Sequence, residues 1–147
     1  MGLTVGSGPF GQHPGGTFNF ELPRAKGKIY FEDSPRRIRA RLGGETVVDS
    51  RHAKLLHEQN LLPIYYFPEE EVRMDLLVPS EKHTRCPYKG EASYWSLPDV
   101  EDVAWFYPAP LREAGEVKDR IAFFDEFVDV VVDGDRHERP VTPWSRR

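Results

Sequence analysis

The chain of 147 residues consists largely of short stretches in which apolar and polar positions alternate, separated by turns rich in Gly and Pro. Residues 37–42 show this most clearly, because three arginines alternate with Ile38, Ala40 and Leu42. A period of two predicts a strand with one buried face. Gly43-Gly44 then predicts a two-residue hairpin turn that leads into a return strand. Further extended segments are predicted at 45–50, 61–67, 72–78 and 103–107.

Two other segments carry helical signals. Residues 51–60 predict a short helix, because Ser50 suits the position before a helix and Leu55 and Leu56 would supply its apolar contacts. Pro68 is followed by three glutamates, and both proline and acidic residues favour the first turn of a helix. We therefore expect one or two short helical turns among the strands.

Residues 121–133 fit both periods. Phe123, Phe127 and Val130 recur at helical spacing, but the segment is rich in β-branched valines, which favour strands. Asp133-Gly134 supplies a hairpin-type turn at its end, so we predict a single strand over 121–133. The whole pattern predicts a mostly-β domain of about seven short strands. Periodicity alone leaves a barrel and a sandwich equally open.

Residues 83–97 contain the most distinctive group of side chains in the chain. Lys89-Gly90 predicts the corner of a β-hairpin, because Gly accepts the positive φ that such corners need. Side chains alternate along the return strand, so Glu91 and Trp95 are expected on one face and Tyr94 on the other. Polar and aromatic groups would thus meet beside a tight turn, as they do at the rim of a pocket.

Composition and charge narrow the class of protein. The net charge of −4 argues against a nucleic-acid partner. No apolar run approaches the roughly 20 residues of a membrane span, and the first residues do not read as a signal peptide. The single cysteine cannot form an internal disulfide, which fits a reducing compartment. We therefore expect a soluble, cytoplasmic protein.

The domain organisation follows from the distribution of Gly, Pro and apolar residues. Residues 1–20 are rich in Gly and Pro and predict a flexible arm with little to bury. Residues 21–135 are expected to form a single β domain, since this length supports about one core. Residues 136–147 contain two prolines and no periodic pattern, and predict a second extended arm.

Cys86 is the natural candidate for a nucleophile, with Lys89 and Glu91 as its neighbours in any catalytic group. His83 lies three residues away, and on an extended strand it would face the opposite side, so it is poorly placed as a base for Cys86. A lone cysteine is more often a small buried hydrophobic residue. Cys86, Lys89 and Glu91 are thus weak catalytic candidates.

The sequence gives no sign of a bound metal or other cofactor. There is no phosphate-binding loop of the G-x-x-x-x-G-K-[ST] type. Asp125, Asp129 and Asp133 would share one face of an extended segment, but each four-residue step spans about 13 Å, too far for one ion. We therefore expect neither a metal nor a cofactor.

A ligand-binding group is the stronger interpretation of the polar and aromatic residues. Cations and flat rings can hold a ring-bearing or anionic metabolite through charge, stacking and a few hydrogen bonds. For any single residue, an ion pair within the protein or a place in the core is the slightly better explanation, and only the group as a whole favours a pocket equally. The ligand-binding candidates are Arg39, Tyr66, Arg73, Asp75, Tyr88, Lys89, Glu91, Tyr94 and Trp95.

Several phrases of the sequence resemble a small, mostly bacterial family known as domain of unknown function 427. They are Leu42-Gly43-Gly44, Val48-Asp49-Ser50, Tyr65-Tyr66-Phe67-Pro68, Val72-Arg73-Met74-Asp75-Leu76-Leu77, Cys86-Pro87-Tyr88-Lys89-Gly90, Tyr94-Trp95 and Asp133-Gly134. The resemblance implies a β-tent, in which two antiparallel sheets lean together, similar to methionine sulfoxide reductase B and the thalidomide-binding domain of cereblon. Those relatives often hold zinc in paired Cys-x-x-Cys motifs, which a chain with one cysteine cannot form. The family is sometimes labelled a nucleotidyltransferase.

Two functions are consistent with these observations. The first is the binding of a small polar, anionic or nucleotide-like ligand in a pocket between the sheets. The alternative is an enzyme, either a nucleotidyltransferase as the family label suggests or a catalyst that depends on Cys86. The oligomeric state cannot be predicted from these residues.

Overall fold

The computed structural model describes residues 29–58 and 61–145, and the predicted arm at 1–20 lies outside this range. The described residues form eleven strands. Their bounds are β1 (Ile29–Ser34), β2 (Ile38–Leu42), β3 (Glu45–Ser50), β4 (Ala53–Glu58), β5 (Ile64–Pro68), β6 (Val78–Cys86), β7 (Gly90–Leu97), β8 (Val100–Phe106), β9 (Arg120–Phe123), β10 (Asp129–Val132) and β11 (Asp135–Arg136). Short 3-10 helices lie at Glu69–Glu71, Met74–Leu76, Arg112–Val117 and Pro143–Ser145.

The strands form two antiparallel sheets. One has seven strands in the order β1-β4-β5-β9-β8-β7-β6, and the other has four in the order β11-β10-β2-β3. The prediction of a mostly-β fold with two antiparallel sheets is confirmed. In the described part of the chain, no helix is long and apolar enough to cross a membrane.

The predicted hairpins are present where glycines permit them. Gly43 and Gly44 have φ angles of 56° and 85° at the turn between β2 and β3. Gly90 has a φ of 112° where β7 begins, and a Cβ at this position would lie 3.3 Å from the carbonyl oxygen of Ala109. The hairpin of β6 and β7 is confirmed, with Cys86 opposite Gly90 in the register. The backbone conformation at Gly90 and the close approach of Ala109 both favour glycine there.

The helix predicted for 51–60 was wrong. Residues 53–58 form β4, which pairs with β1 on one side and β5 on the other. Leu55 and Leu56 are adjacent apolar residues and satisfy a helical period, but in the sheet they point to opposite faces. Pairing with a strand on each side outweighed the local helical signal.

Two further predictions were also wrong. The single strand over 121–133 is divided into β9 and β10, which belong to different sheets. The carbonyl oxygen of Phe124 accepts hydrogen bonds from the backbone N–H groups of Phe127 and Val128, which turns the chain between them. The extended segment 72–78 is interrupted by the 3-10 helix Met74–Leu76. In both places a bent backbone brings residues into the main core, Val72 and Leu77 in one and Ile121 and Val128 in the other. A search for a single period cannot recognise such a bend.

The seven-stranded sheet is buried on both faces. Its inner face packs against the four-stranded sheet through the main core, which includes Ile38, Phe67 and Phe123. Its outer face carries a second cluster, covered in part by Ala114 and Val117 of the 3-10 helix Arg112–Val117. Neighbouring residues on a strand can therefore both be buried, in different surroundings.

Candidate functional site

A cleft of about 530 Å³ opens between the sheets, at the end where β1, β4 and β5 face β10 and the chain that follows it. The alternation of side chains places Leu55 and His57 of β4 in its wall, beside Tyr65 and Phe67 of β5. Apolar side chains form most of the remaining wall. They are Ala40, Leu62, Ile64, Phe123, Val128 and Val130, with Pro35, Pro63 and Pro140 at the loops.

The polar groups of the cleft are mainly acidic. Four carboxyl groups line it, those of Glu32, Asp33, Asp125 and Glu138. The basic groups are the guanidinium of Arg36 and two imidazoles, His57 and His137. The cleft therefore combines apolar walls with several hydrogen-bonding groups. Most of these are carboxyl groups, which only accept hydrogen bonds when they are ionised.

His57 is held in the wall by Glu32. Its Nε2 atom lies 2.7 Å from Oε1 of Glu32, which extends from the neighbouring strand β1. The imidazole side chain is only 5% exposed, whereas that of Glu32 is 45% exposed. The other ring nitrogen, Nδ1, is buried and has no hydrogen-bond partner among the residues that the structure describes. His57 thus keeps one unused hydrogen-bonding position in an almost fully buried side chain.

Asp125 is a second unusual group of the cleft. Burial of its carboxyl, together with its hydrogen bond to Glu126 and the charge of that neighbour, raises the pKa of Asp125 to about 7. Glu126 also accepts a hydrogen bond from the Thr142 hydroxyl, which ties down the segment after β11. Arg139 on the same segment contacts Asp129 at 3.0 Å. The segment predicted as a C-terminal arm thus packs beside the cleft as far as it is described.

On the opposite face of the seven-stranded sheet, polar groups form what we call the Lys89 cluster, made of Glu58, Tyr66, Lys89, Trp105 and Tyr107. Lys89 Nζ lies 2.5 Å from Oε1 of Glu58 and 5.9 Å from the ring centre of Tyr107. Trp105 Nε1 donates a hydrogen bond to the Tyr66 hydroxyl at 3.1 Å. Burial raises the pKa of Tyr66 to about 12. Glu58, Tyr66, Lys89 and Trp105 thus each form a hydrogen bond within the protein.

Lys89 keeps its charge in this buried cluster. Burial opposes the charge, but the electrostatic effect of Tyr66 and Glu58 and the hydrogen bond to Glu58 together raise the pKa of the Lys89 ammonium above its usual value. Lys89 is 8% exposed, so the hairpin corner folds inward onto β4. Two of the predicted ligand-binding residues, Tyr66 and Lys89, therefore lie together, on the face opposite the cleft.

Other predicted binding residues form pairs on the surface. Arg73 donates to both carboxylate oxygens of Asp75, at 2.9 and 2.8 Å, and both side chains are more than half exposed. Glu91 is exposed and lies 3.9 Å from Nδ1 of His83. Arg39 is half-buried on the outer side of the four-stranded sheet, and its buried Nε has no hydrogen-bond partner in the described ranges.

The aromatic candidates are divided between two faces, as the alternation along β7 predicts. The Tyr94 hydroxyl lies 2.7 Å from the Thr84 hydroxyl, and its ring stacks on Phe124. Trp95 packs against the main core and stacks on Phe106. Tyr88 lies half-buried in the turn before Gly90.

Cys86 is half-buried at the end of β6, where it packs against the outer cluster. None of the predicted site residues belongs to the described wall of the cleft. Their roles in binding or catalysis stay predictions.

The residues that line the cleft were missed for identifiable reasons. His57 was assigned to a helix, so its place on an inward strand face was not recognised. Its partner Glu32 is 25 residues away in sequence, and only the pairing of β1 with β4 brings the two together. A period-two reading of Ala53, Leu55 and His57 was the signal that could have found this histidine.

Metal binding has no candidate in the described part of the chain. No group of three or more His, Cys, Asp or Glu side chains is placed there to hold an ion. The cleft instead offers an apolar wall, a histidine with one unused nitrogen, and a carboxyl whose pKa is close to neutrality.

Comparison with known proteins identifies a family for this chain. The family model NTP_transf_9, described as domain of unknown function (DUF427), matches residues 30–134. A comparison with curated proteins found no match. The matched region includes β2 to β10, both sheets and nearly all of the cleft. The chain belongs to the DUF427 family.

Proposed function

We propose that this protein binds a small organic molecule, with a flat and largely apolar body, in the cleft between its sheets. The observation that carries the proposal is the cleft itself, which combines a volume of about 530 Å³ with apolar walls and a few polar groups. Ligand sites in proteins typically have volumes of about 300–1,000 Å³ and this mixture of surfaces.

The wall suits a ring. Tyr65 and Phe67 lie side by side, with ring centres 6.3 Å apart and an angle of 26° between the rings. Phe67 also approaches Phe123, with 6.4 Å between the ring centres. Aromatic rings in such arrangements favour flat partners, through stacked or edge-to-face contacts. The polar groups of the cleft would then orient the ligand.

The alternative function, an enzyme, is a prediction without a specific structural observation in its favour. The nucleotidyltransferase activity is suggested by the name of the family model. Cys86 remains the candidate for thiol chemistry, but its surroundings are those of the outer cluster. We therefore take ligand binding in the cleft as the function to test first.

The test uses a panel of ring-bearing metabolites and the substitution Val130→Phe, which fills the cleft from the half-buried end of β10. Val78→Phe is the matched control, because Val78 is 55% exposed and lies outside the described wall. A ligand at about 100 times its Kd should stabilise the protein by about 2.7 kcal/mol. We expect this stabilisation in the native protein and in Val78→Phe, and its loss in Val130→Phe, measured by thermal unfolding.

Two outcomes would contradict the proposal. One is a compound that stabilises native and Val130→Phe proteins equally, since its site would lie elsewhere. The other is a broad panel in which no ring-bearing compound shifts the unfolding temperature. Comparing the unliganded proteins first shows whether Val130→Phe itself alters folding.

A further inference from the structure

The Nδ1 atom of His57 indicates which hydrogen-bonding group a ligand of the cleft would carry, which the shape of the cleft does not. Buried polar atoms in proteins nearly always have a hydrogen-bond partner, and an exception calls for an explanation. His57 is 4% exposed and lies in the wall of the cleft, and its Nδ1 has no partner in residues 29–58 and 61–145. A ligand group that bonds to Nδ1 would supply the missing partner.

The contact with Glu32 determines whether Nδ1 of His57 donates or accepts a hydrogen bond. A carboxylate can only accept hydrogen bonds, so the contact of 2.7 Å between Glu32 Oε1 and Nε2 places a hydrogen on Nε2. In a neutral imidazole the other nitrogen is then an acceptor, so a group that bonds to Nδ1 of the neutral ring must carry an N–H or O–H hydrogen.

The charge of the cleft disfavours a phosphate. Four carboxyl groups line it, against the one guanidinium of Arg36. Arg36 is itself 67% exposed and lies 3.9 Å from Asp133, so it is a surface cation next to an acidic partner. A phosphate in this cleft would meet repulsion from nearby carboxylates without a buried cation to offset it.

We propose, on the basis of the ligand-binding function above, that the cleft selects uncharged ring compounds that donate an N–H hydrogen bond to His57 Nδ1, and that it rejects phosphorylated ones. The apolar wall holds the ring, and Glu32 keeps the histidine in the accepting form. Of the polar, anionic and nucleotide-like ligands expected from the sequence, this proposal keeps only uncharged compounds that donate a hydrogen bond.

Two matched pairs of probes test the proposal. Indole and 1-methylindole differ in the N–H group, and adenosine and adenosine monophosphate differ in the phosphate. We expect indole and adenosine to bind more tightly than their partners, by about tenfold, the usual effect of one buried hydrogen bond left unpaired. Isothermal titration would measure the affinities, and the ¹⁵N signals of the His57 ring would report directly whether Nδ1 is the atom contacted.

Glu32→Gln is the informative variant. The Gln amide can donate to Nε2, which moves the ring hydrogen to Nδ1 and turns the acceptor into a donor, or it can accept from Nε2 as Glu32 does, and the ¹⁵N signals of the ring distinguish the two. Indole affinity should fall about tenfold where the hydrogen lies on Nδ1 and stay unchanged where it remains on Nε2. Glu81→Gln is the control, because it makes the same change of carboxyl to amide at an exposed position outside the described cleft wall, and should leave the affinity unchanged. Glu32 is 45% exposed, so the variant should fold as the native protein does, and unfolding curves of the unliganded variant check this.

The outcomes separate the two proposals. Equal binding of the members of either pair, or unchanged indole affinity in a Glu32→Gln protein whose ring hydrogen lies on Nδ1, overturns the proposed selection, and so does the failure of all four probes to bind. If probes bind without this selection and Val130→Phe abolishes their binding, the cleft is still the ligand site. If the probes bind equally well to Val130→Phe, the proposed function fails as well.

Discussion

His57 and Glu58 are neighbours on β4, and they point to opposite faces of the seven-stranded sheet. On these two faces, buried polar side chains differ in how fully they are hydrogen bonded. Glu58 points outward and meets the ammonium of Lys89 at 2.5 Å. His57 points inward, bonds to Glu32 through one nitrogen, and leaves the other without a partner among the described residues. On the outer face Glu58 is thus paired within the protein, whereas on the inner face one nitrogen of His57 has no partner among the described residues.

This difference separates a group that stabilises the fold from one that can receive a ligand. The Lys89 cluster connects the hairpin of β6 and β7 to β4, and two hydrogen bonds, Lys89 to Glu58 and Trp105 to Tyr66, lie within it. A ligand could bind there only by breaking those contacts. The cleft has open volume, and in its wall lies a buried nitrogen without a partner among the described residues, so a ligand can add a hydrogen bond there.

The largest effect is expected from Glu58→Ala, which removes the partner of a buried ammonium. Loss of one member of a buried ion pair typically lowers the free energy of unfolding by about 3–5 kcal/mol, because the other charge stays buried without compensation. Lys89 is 8% exposed, so water cannot readily replace the carboxylate. Urea unfolding at neutral pH would measure the loss.

The double variant Glu58→Leu with Lys89→Met provides the control. It removes both charges and keeps similar volumes, a change that is often neutral for buried pairs. We expect it to recover most of the stability lost in Glu58→Ala. A small effect of Glu58→Ala alone would mean that the Lys89 cluster is not the stabilising face, and the contrast between the two faces would be lost.

Much of the fold was predictable because its signals are local. Gly43-Gly44 and Lys89-Gly90 mark two hairpins through the backbone conformations that glycine allows, and the structure has turns at both. The alternation in 37–42 likewise gave β2. Such signals depend on a few adjacent residues, so the rest of the chain cannot easily override them.

The cleft was not predictable in the same way, because it depends on contacts between distant segments. Glu32 and His57 meet only through the pairing of β1 with β4, and Asp125 belongs to the turn between the two sheets. Lys89 was expected at a rim because hairpin corners are usually exposed. Its long side chain instead reaches Glu58, 31 positions earlier in the chain.

Asp125→Asn is expected to raise the free energy of unfolding, by a smaller amount than Glu58→Ala lowers it. The pKa of Asp125 is raised from 3.8 to about 7 in the folded protein. Between these values the folded state holds a proton that the unfolded state releases, so the free energy of unfolding falls as the pH rises from about 4 to about 7. Asn removes this penalty and can still hydrogen bond to Glu126. At about pH 8 the variant should be more stable than the native protein by about 1–2 kcal/mol, a value reduced for the partial exposure of the carboxyl.

Unfolding curves at about pH 4 and pH 8 check this prediction, since the advantage of the variant should nearly vanish at the lower pH. Asp75→Asn is the matched control for this effect on stability. The hydrogen bond from Arg73 lowers the pKa of Asp75, so its loss should give no gain in stability at high pH. A native protein whose stability does not fall between these pH values would show that Asp125 is not held in an unfavourable charged state.

The smallest effect on stability is expected from Arg73→Ala. Arg73 was predicted from the sequence to bind the ligand but lies outside the described wall of the cleft, so this variant distinguishes the two locations. Arg73 makes two hydrogen bonds to Asp75 on the surface, and exposed pairs of this kind usually contribute little to stability. We expect no measurable change in the free energy of unfolding. The affinity for a ligand in the cleft should not change either, because the guanidinium already has a partner and lies outside the described wall. A clear loss of ligand affinity in Arg73→Ala, measured by titration beside Val130→Phe, would move the binding site from the cleft to the surface that the sequence first suggested.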